Sequence, residues 1–113
     1  MNELLTLDDL TAALDASGTA PIFLFKHSTR CPISSGAYQR VQRYLAEASP
    51  GTPVFYLIKV IESRPVSNEI ASRLGVQHQS PQLILVRNHR AVWDTSHGGI
   101  DGPAIDRALA PSA

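Results

Sequence analysis

FLFKHSTRCPISS, residues 23–35, is the stretch that decides the fold of this chain. It joins an apolar run, typical of a buried strand, to the only cysteine, Cys31, and then to a helical pattern that begins at Pro32. Proline suits the first position of a helix, because its missing N–H would have no partner there. The unpaired N–H groups of a helix's first turn stabilise negative charge, and the thiolate is the reactive form of cysteine. The sequence therefore predicts a thiol placed for activation where a strand leads into a helix.

Outward from this stretch, helical and strand patterns alternate along the chain. Strands joined by helical crossovers pair in parallel, and the last two predicted strands are close enough to form an antiparallel hairpin. The order α-β-α-β-α-β-β-α predicts a thioredoxin-like α/β fold, a four-stranded mixed sheet with helices on both faces, in a single domain over residues 1–113. Helices are predicted over residues 6–16, 32–48, 65–74 and 101–109, and strands over residues 21–26, 54–60, 82–86 and 91–95.

Composition narrows the functional class. Ten basic and ten acidic residues give a formal net charge of zero, which argues against nucleic acid or an anionic membrane as the main partner. No apolar run approaches the ~20 residues of a transmembrane helix, and the start MNELLTLDDL is acidic where a secretory signal is basic. A single cysteine cannot form an internal disulfide, which fits a reducing compartment. The expected location is the cytoplasm.

The surroundings of Cys31 predict an activated thiol. Cys31 is expected to cap the helix, with its sulfur over the backbone N–H groups of Ile33 and Ser34. Nearby cations are expected to add positive potential and favour the thiolate at neutral pH. The residues predicted to stabilise the thiolate are Pro32, Ile33, Ser34 and Arg30, with Lys26 and His27 close in sequence.

Ser34 stands where a dithiol oxidoreductase has the second cysteine of Cys-x-x-Cys. Its hydroxyl is expected to donate a hydrogen bond to the Cys31 thiolate, but it cannot resolve a disulfide. A mixed disulfide on Cys31 must therefore be resolved by an external thiol. This monothiol mechanism follows from the cysteine count alone.

Four blocks of sequence stand in order along the chain: FKHSTRCPIS (25–34), ESRPVSNEIA (62–71), GVQHQSPQ (75–82) and AVWDTSH (91–97). Together they resemble the monothiol bacilliredoxin family of thioredoxin-like proteins, over nearly the whole chain. Proteins of this family remove bacillithiol, a low-molecular-weight thiol, from mixed disulfides on oxidised proteins. The resemblance implies bacillithiol as the thiol co-substrate, no bound cofactor, and bacillithiolated client proteins as partners.

The resemblance also assigns roles to residues. Cys31 matches the nucleophile, followed by Pro32 and Ile33 of a Cys-Pro-Ile motif. Pro81 falls where thioredoxin-like folds place a cis-proline that faces the active cysteine, and the backbone beside it is expected to pair with the bound thiol or client. Bacillithiol carries carboxylates, so cations near the site are candidate contacts. The residues predicted to bind substrate are Ser80, Pro81, Lys26 and Arg64, with Arg30 as a further anion contact.

Other functions stay open at this point. One is an iron–sulfur cluster carrier of the monothiol glutaredoxin type, although Pro32 and Ile33 replace the glycine and phenylalanine of Cys-Gly-Phe-Ser. Another is a single-cysteine thiol peroxidase, with Ser28 in place of the threonine of Thr-x-x-Cys. A third is a non-enzymatic interaction module with a buried thiol. No metal site is predicted, because no two histidines have zinc-site spacing, and the roles of His27, His78 and His97 stay open.

Overall fold

The computed structural model describes residues 1–110, and the last three residues of the predicted 1–113 domain lie outside that part. Five strands form one sheet with helices on both faces. None of the described helices is long and apolar enough to cross a membrane. The strands are β1 (Asn2–Glu3), β2 (Ile22–His27), β3 (Val54–Lys59), β4 (Gln82–Arg87) and β5 (Arg90–Ser96), and the helices are α1 (Leu7–Ala16), α2 (Pro32–Ala46), α3 (Arg64–Leu74) and α4 (Gly102–Leu109).

The predicted thioredoxin-like architecture is confirmed in outline, but the expected count of four strands is wrong. A fifth strand, β1, pairs in parallel with β3 at the edge of the sheet, and the strand order is β1-β3-β2-β4-β5. Leu4, directly after β1, is buried and its N–H donates to the carbonyl of Leu57 at 2.8 Å. The side chain of Glu3 forms an ion pair with Lys59, with 3.4 Å between Oε1 and Nζ. Because Leu4 is buried, the two residues before it, Asn2 and Glu3, lie against β3 and form a strand, although that strand is only two residues long.

Strand β2 lies at the centre of the sheet. It pairs in parallel with β3, where Ile22 lies opposite Val54, and antiparallel with β4, where Ile22 lies opposite Val86. The parallel pair needs the crossover through α2, whereas β4 and β5 form the predicted antiparallel hairpin. Because β2 is the central strand, the loop that follows it lies at the middle of the end of the sheet where β2 terminates.

Side chains of β2 alternate between two cores, as the period of a strand requires. Ile22 and Leu24 pack with α1 and α3, and Phe23 and Phe25 pack with α2 and α4. All six residues of β2 are buried, which explains its unbroken apolar start. The same alternation assigns its last two residues, Lys26 and His27, to opposite faces.

The outer strand β5 contains a β-bulge. Leu85 pairs with Trp93, whereas the next residue of β4, Val86, pairs with Ala91, so that Val92 has no partner. The extra residue lets Ala91 pack against one core and Trp93 against the other. A bulge also interrupts the unpaired edge of the sheet, a feature that opposes pairing with another chain.

Replacing Thr6 by alanine is expected to lower the free energy of unfolding by about 1 kcal/mol. The Thr6 hydroxyl accepts the Asp9 N–H at 3.0 Å, and the Asp9 carboxylate accepts the Thr6 N–H at 3.2 Å, so this capping box closes the start of α1. Urea unfolding measures the change, with Thr19→Ala, at an exposed threonine outside the helices, as the control. Equal midpoints for the two variants would show that the box contributes nothing.

Candidate active site

Cys31 lies at the N-cap of α2, one residue before Pro32, as the sequence predicts. Its carbonyl accepts the N–H of Ser35 at 3.0 Å, and its thiol is free and half-buried. Within residues 1–110 the side chain makes no capping hydrogen bond, so the expected bonds from the N–H groups of Ile33 and Ser34 are not formed. Thiol sulfur is a weak acceptor. The stabilisation of a thiolate by the N-terminus of α2 stays a prediction.

Ser34 is completely buried one turn into α2. Its Oγ accepts the N–H of Ser28 at 2.9 Å and lies 2.7 Å from Nδ1 of His27. The expected hydrogen bond from this hydroxyl to the Cys31 sulfur is not present. The Ser34 oxygen instead accepts the N–H of Ser28, and its other hydrogen bond is made with the ring of His27. Ser34 instead ties the end of β2 and the start of the loop to the helix that carries Cys31.

His27, the last residue of β2, is the partner that sequence reasoning did not assign. Its ring stacks on Tyr38 with a centroid distance of 4.9 Å and on Phe25 at 5.8 Å. Burial lowers the pKa of His27, against the smaller opposing effect of Glu62. A neutral ring can accept the hydroxyl proton of Ser34 at Nδ1, since that oxygen already receives the Ser28 N–H.

The loop before Cys31 is joined to the loop after β3. Thr29 donates its hydroxyl proton to the carboxylate of Glu62 at 2.9 Å, and this bond is the main reason that the pKa of Glu62 lies below its ordinary value. Arg30 is exposed and adds a smaller effect in the same direction. The role predicted for Arg30 at the thiolate stays a prediction, and its charge is accessible from solvent.

Pro81 lies directly before β4, the strand next to β2, at the same end of the sheet as the cysteine loop. The Ser80–Pro81 peptide is cis, as the resemblance implied. Because Lys26 pairs with Gln82 in the antiparallel register, the next step of that register sets Pro81 beside His27, where β2 leads into the cysteine loop. The carbonyl of Pro81 accepts the N–H of His97 at 3.1 Å. The cis-proline and Cys31 thus border the same end of the sheet.

The three cations predicted to contact substrate lie in different environments. Arg30 and Arg64 are exposed, whereas Lys26 has no exposed surface. The Lys26 Nζ lies 3.2 Å from Nδ1 of His78, so its ammonium has a partner in the protein. Arg64 is close enough to contribute to the lowered pKa of His78, after burial and Lys26. The structure therefore leaves the two arginines as the accessible cations of this group.

A cleft of about 910 Å³ lies away from Cys31. It is formed by the second half of α2, the loop before β3 and the start of α4, with Arg40, Tyr44 and Arg87 among its lining residues. Cys31, half-buried at the N-cap of α2, is not among the residues that line this cleft. This cleft therefore does not form the surroundings of the thiol.

The family model described as "Monothiol bacilliredoxin BrxC" matches residues 2–105 of this chain. The chain belongs to the monothiol bacilliredoxin family. A solved structure described as having a thioredoxin fold, and provisionally as an oxidoreductase, is 31% identical, with a TM-score of 0.83 over 96% of this chain and 93% of that one. The thioredoxin of Fasciola hepatica is 15% identical, with a TM-score of 0.76 over 96% of both chains. The thioredoxin of Malassezia sympodialis is also 15% identical, with a TM-score of 0.74 over 96% of this chain and 86% of that one.

Membership of the bacilliredoxin family explains the arrangement around Cys31. The two thioredoxins confirm the fold, and the family assigns a thiol redox function to it. The chain is therefore a thiol oxidoreductase of the thioredoxin-like class, and its sequence contains one cysteine.

Proposed function

We propose that this bacilliredoxin removes bacillithiol from protein mixed disulfides through Cys31. The Cys31 thiolate attacks the bacillithiol sulfur, the client sulfur leaves as a thiolate and takes a proton from water, and bacillithiol remains on Cys31 as a mixed disulfide. A second bacillithiol thiolate then attacks that disulfide, which releases Cys31 and forms bacillithiol disulfide. A separate reductase must reduce this product. The cycle needs a compartment that keeps thiols reduced, and the cytoplasm is such a compartment.

The observation that carries the proposal is the pairing of an accessible Cys31 with a buried Ser34. Cys31 is half-buried at a helix N-terminus, whereas Ser34 is enclosed and hydrogen-bonded to Ser28 and His27. Because position 34 is a serine and not a cysteine, the protein cannot release bacillithiol by forming a disulfide within its own chain. A small external thiol has access to Cys31 and can perform that step.

The proposed substrate contacts lie directly before β4, at the start of α3 and in the loop before Cys31. Ser80 has a buried hydroxyl oxygen with no hydrogen-bond partner among residues 1–110, directly before Pro81. The backbone beside Pro81 can pair with an extended client or with the peptide-like part of bacillithiol. Arg64 and Arg30 offer exposed guanidinium groups to carboxylates.

The decisive experiment follows bacillithiol by mass spectrometry. The reduced protein is incubated with a client that carries one bacillithiol, and both masses are recorded with time. The proposal predicts that the client loses bacillithiol while the protein gains one, and that added bacillithiol removes it again. The matched control is the same protein with Cys31 blocked beforehand by iodoacetamide, which is expected to be inactive. No transfer, with the client otherwise reducible by dithiothreitol, would contradict the proposal.

The same preparation tests the two other activities that sequence reasoning left open. Anaerobic reconstitution with iron and sulfide is expected to leave the protein colourless, because the bulky side chains of Pro32 and Ile33 flank the thiol. Peroxide consumption with added thiol is expected to match the reaction without protein. A stable visible absorption band or rapid peroxide turnover would favour the corresponding alternative.

Replacing Ser34 by cysteine is expected to convert the monothiol mechanism into a dithiol one. The new thiol would attack the Cys31 mixed disulfide, release bacillithiol and leave a disulfide between positions 31 and 34. The bacillithiol adduct that accumulates on the natural protein would then be replaced by a protein two hydrogens lighter. Loss of the hydrogen bonds from Ser28 and His27 is expected to lower the free energy of unfolding by about 1 to 3 kcal/mol.

The matched control for this variant is Ser49→Cys. Ser49 is exposed beyond the far end of α2, a helix of 15 residues and so roughly 22 Å long, which keeps its sulfur out of reach of Cys31. This control is expected to accumulate the adduct on Cys31 as the natural protein does. Accumulation of the same adduct in Ser34→Cys would show that position 34 is not placed to resolve it.

A further inference from the structure

Lys26 is a buried cation that the proposed chemistry does not use. It lies near the end of β2 with no exposed surface, on the same face as Leu24 and the α1–α3 core. Lysine is almost never fully buried without a partner, because an ammonium loses its hydration in the interior. Burial lowers the pKa of Lys26 to about 8. Keeping an ammonium here opposes folding at neutral pH, so its presence calls for a function.

The partner of Lys26 is His78, in the segment that leads to the cis-proline. Nζ of Lys26 lies 3.2 Å from Nδ1 of His78. An ammonium has donors and no acceptor, so Nδ1 is the acceptor and His78 is neutral, with its proton on Nε2. The lowered pKa of His78, caused by burial and then by Lys26 and Arg64, is consistent with that state.

A second buried side chain holds the same segment from the neighbouring strand. Gln82 lies opposite Lys26 in the β2–β4 register and is also completely buried. Its amide donates to the carbonyl of Gln77 at 3.1 Å and accepts the N–H of Gln79 at 3.3 Å. Lys26 and Gln82 therefore bind residues 77–79 from two adjacent strands, directly before Ser80 and Pro81.

We propose that Lys26 is a positioning residue for the bacillithiol-transfer reaction: through His78 it holds residues 77–81 in the place where Pro81 meets a disulfide bound at Cys31. This inference rests on the proposed function for its reaction and on the Lys26–His78 contact for its mechanism. Lys26 does not touch substrate, since it has no exposed surface.

The hydrogen bond between Lys26 and His78 is strongest when Lys26 is charged and His78 is neutral. Above about pH 8 Lys26 loses a proton and the bond loses its charge. In acid His78 is protonated as well, and two cations 3.2 Å apart repel each other. Arg64 on α3 also lowers the pKa of His78 and so disfavours the second proton. The carboxylate of Asp94 on β5 lies 3.5 Å from the amide of Gln82. Transfer is therefore expected to be fastest between these two limits.

The test compares two reactions of the same thiol in the full chain. Alkylation by iodoacetamide reports on the Cys31 thiolate alone, whereas transfer from a bacillithiolated client also needs residues 77–81 in place. The ratio of the two rates removes the titration of Cys31 itself. For Lys26→Met the ratio is expected to fall about 10-fold at pH 7, with alkylation unchanged. For the natural protein the ratio is expected to fall above about pH 8, and for the variant to stay level.

Two histidine variants separate positioning from a general effect on folding. His78 is exposed, so its replacement is compatible with folding. His78→Asn retains an acceptor for Lys26, so the ratio of the transfer rate to the alkylation rate is expected to stay close to that of the natural protein at pH 7. Because asparagine does not titrate, this ratio is expected not to decline in acid. His78→Leu removes the acceptor and is expected to behave as Lys26→Met does. A ratio that is the same in all four proteins at every pH would overturn the inference, and so would alkylation that slows in parallel with transfer.

Amide hydrogen exchange provides a readout that needs no activity. Lys26→Met is expected to speed exchange at Gln79 about 10-fold or more, while the amides of Leu24 and Ile84 in the sheet keep their protection. If the natural protein shows no transfer, the proposed function fails, and this exchange measurement still decides whether Lys26 holds the segment. Unchanged exchange at Gln79 would overturn the role of Lys26 even in an active enzyme.

Discussion

Replacing Cys31 by serine is expected to reduce bacillithiol transfer to the rate measured with bacillithiol and client alone. Cys31 is the only sulfur nucleophile in the chain, and a serine hydroxyl is not ionised at neutral pH and forms no disulfide. The measurement is the loss of bacillithiol from the client by mass spectrometry. The variant is also expected to gain no mass from bacillithiol.

The matched control for Cys31→Ser is Ser35→Ala, a half-buried position on the same first turn of α2. The backbone N–H of Ser35 bonds to the carbonyl of Cys31, and this bond does not depend on the side chain. Ser35→Ala is therefore expected to retain transfer. Activity of Cys31→Ser above the background reaction would place the chemistry at some other group and contradict the monothiol mechanism.

Replacing Phe23 by alanine is expected to lower the free energy of unfolding by about 3 to 5 kcal/mol. Phe23 has no exposed surface, and its ring stacks on Phe55 with a centroid distance of 4.5 Å and meets the edge of Trp93 at 6.4 Å. The loss removes apolar contact and leaves a cavity beside Phe55 and Trp93, on the face of the sheet that α2 and α4 cover. The free energy of unfolding of a typical domain is only about 5 to 15 kcal/mol, so this one change removes a large share of it.

Urea unfolding followed by circular dichroism measures the effect of Phe23→Ala. Val92→Ala is the control, because Val92 lies in the bulge of β5 with 53% of its surface exposed and is expected to change stability by less than about 0.5 kcal/mol. Similar midpoints for the two variants would show that the stacked rings do not hold this face of the sheet.

Most of the fold could be predicted from the sequence, because apolar runs and helix caps are local signals. Thr6 is the N-cap of α1 and Gly75, at a φ of 65°, is the C-cap of α3, and both residue types are favoured at these positions. The ends of helices and strands differ from the predictions by one or two residues. Strand β1 was missed, because two residues show no period, and its pairing depends on the free edge of β3 and on the burial of Leu4.

The candidate site was predicted less completely, because its side chains depend on which face of an element they occupy. Ser34 shares the buried face of α2 with Ala37 and Val41, a spacing that could have indicated that its hydroxyl lies inward. Lys26 follows Leu24 on the α1–α3 face of β2, so the period of the strand already assigns its ammonium to the interior. Its pairing with His78 joins residues far apart in sequence, which no local pattern reports.

The central position of β2 has a consequence for biosynthesis. Its antiparallel partner β4 runs from Gln82 to Arg87, so a ribosome adding 5 to 20 residues per second needs about 3 to 12 seconds after His27 before that strand is made. During this interval the nascent chain carries a complete cysteine motif without the cis-proline strand that borders it. Contacts of such long range also close slowly in the finished chain. The candidate site is therefore completed late in synthesis, because Gln82 can hold Gln77 and Gln79 beside it only once β4 has paired with β2.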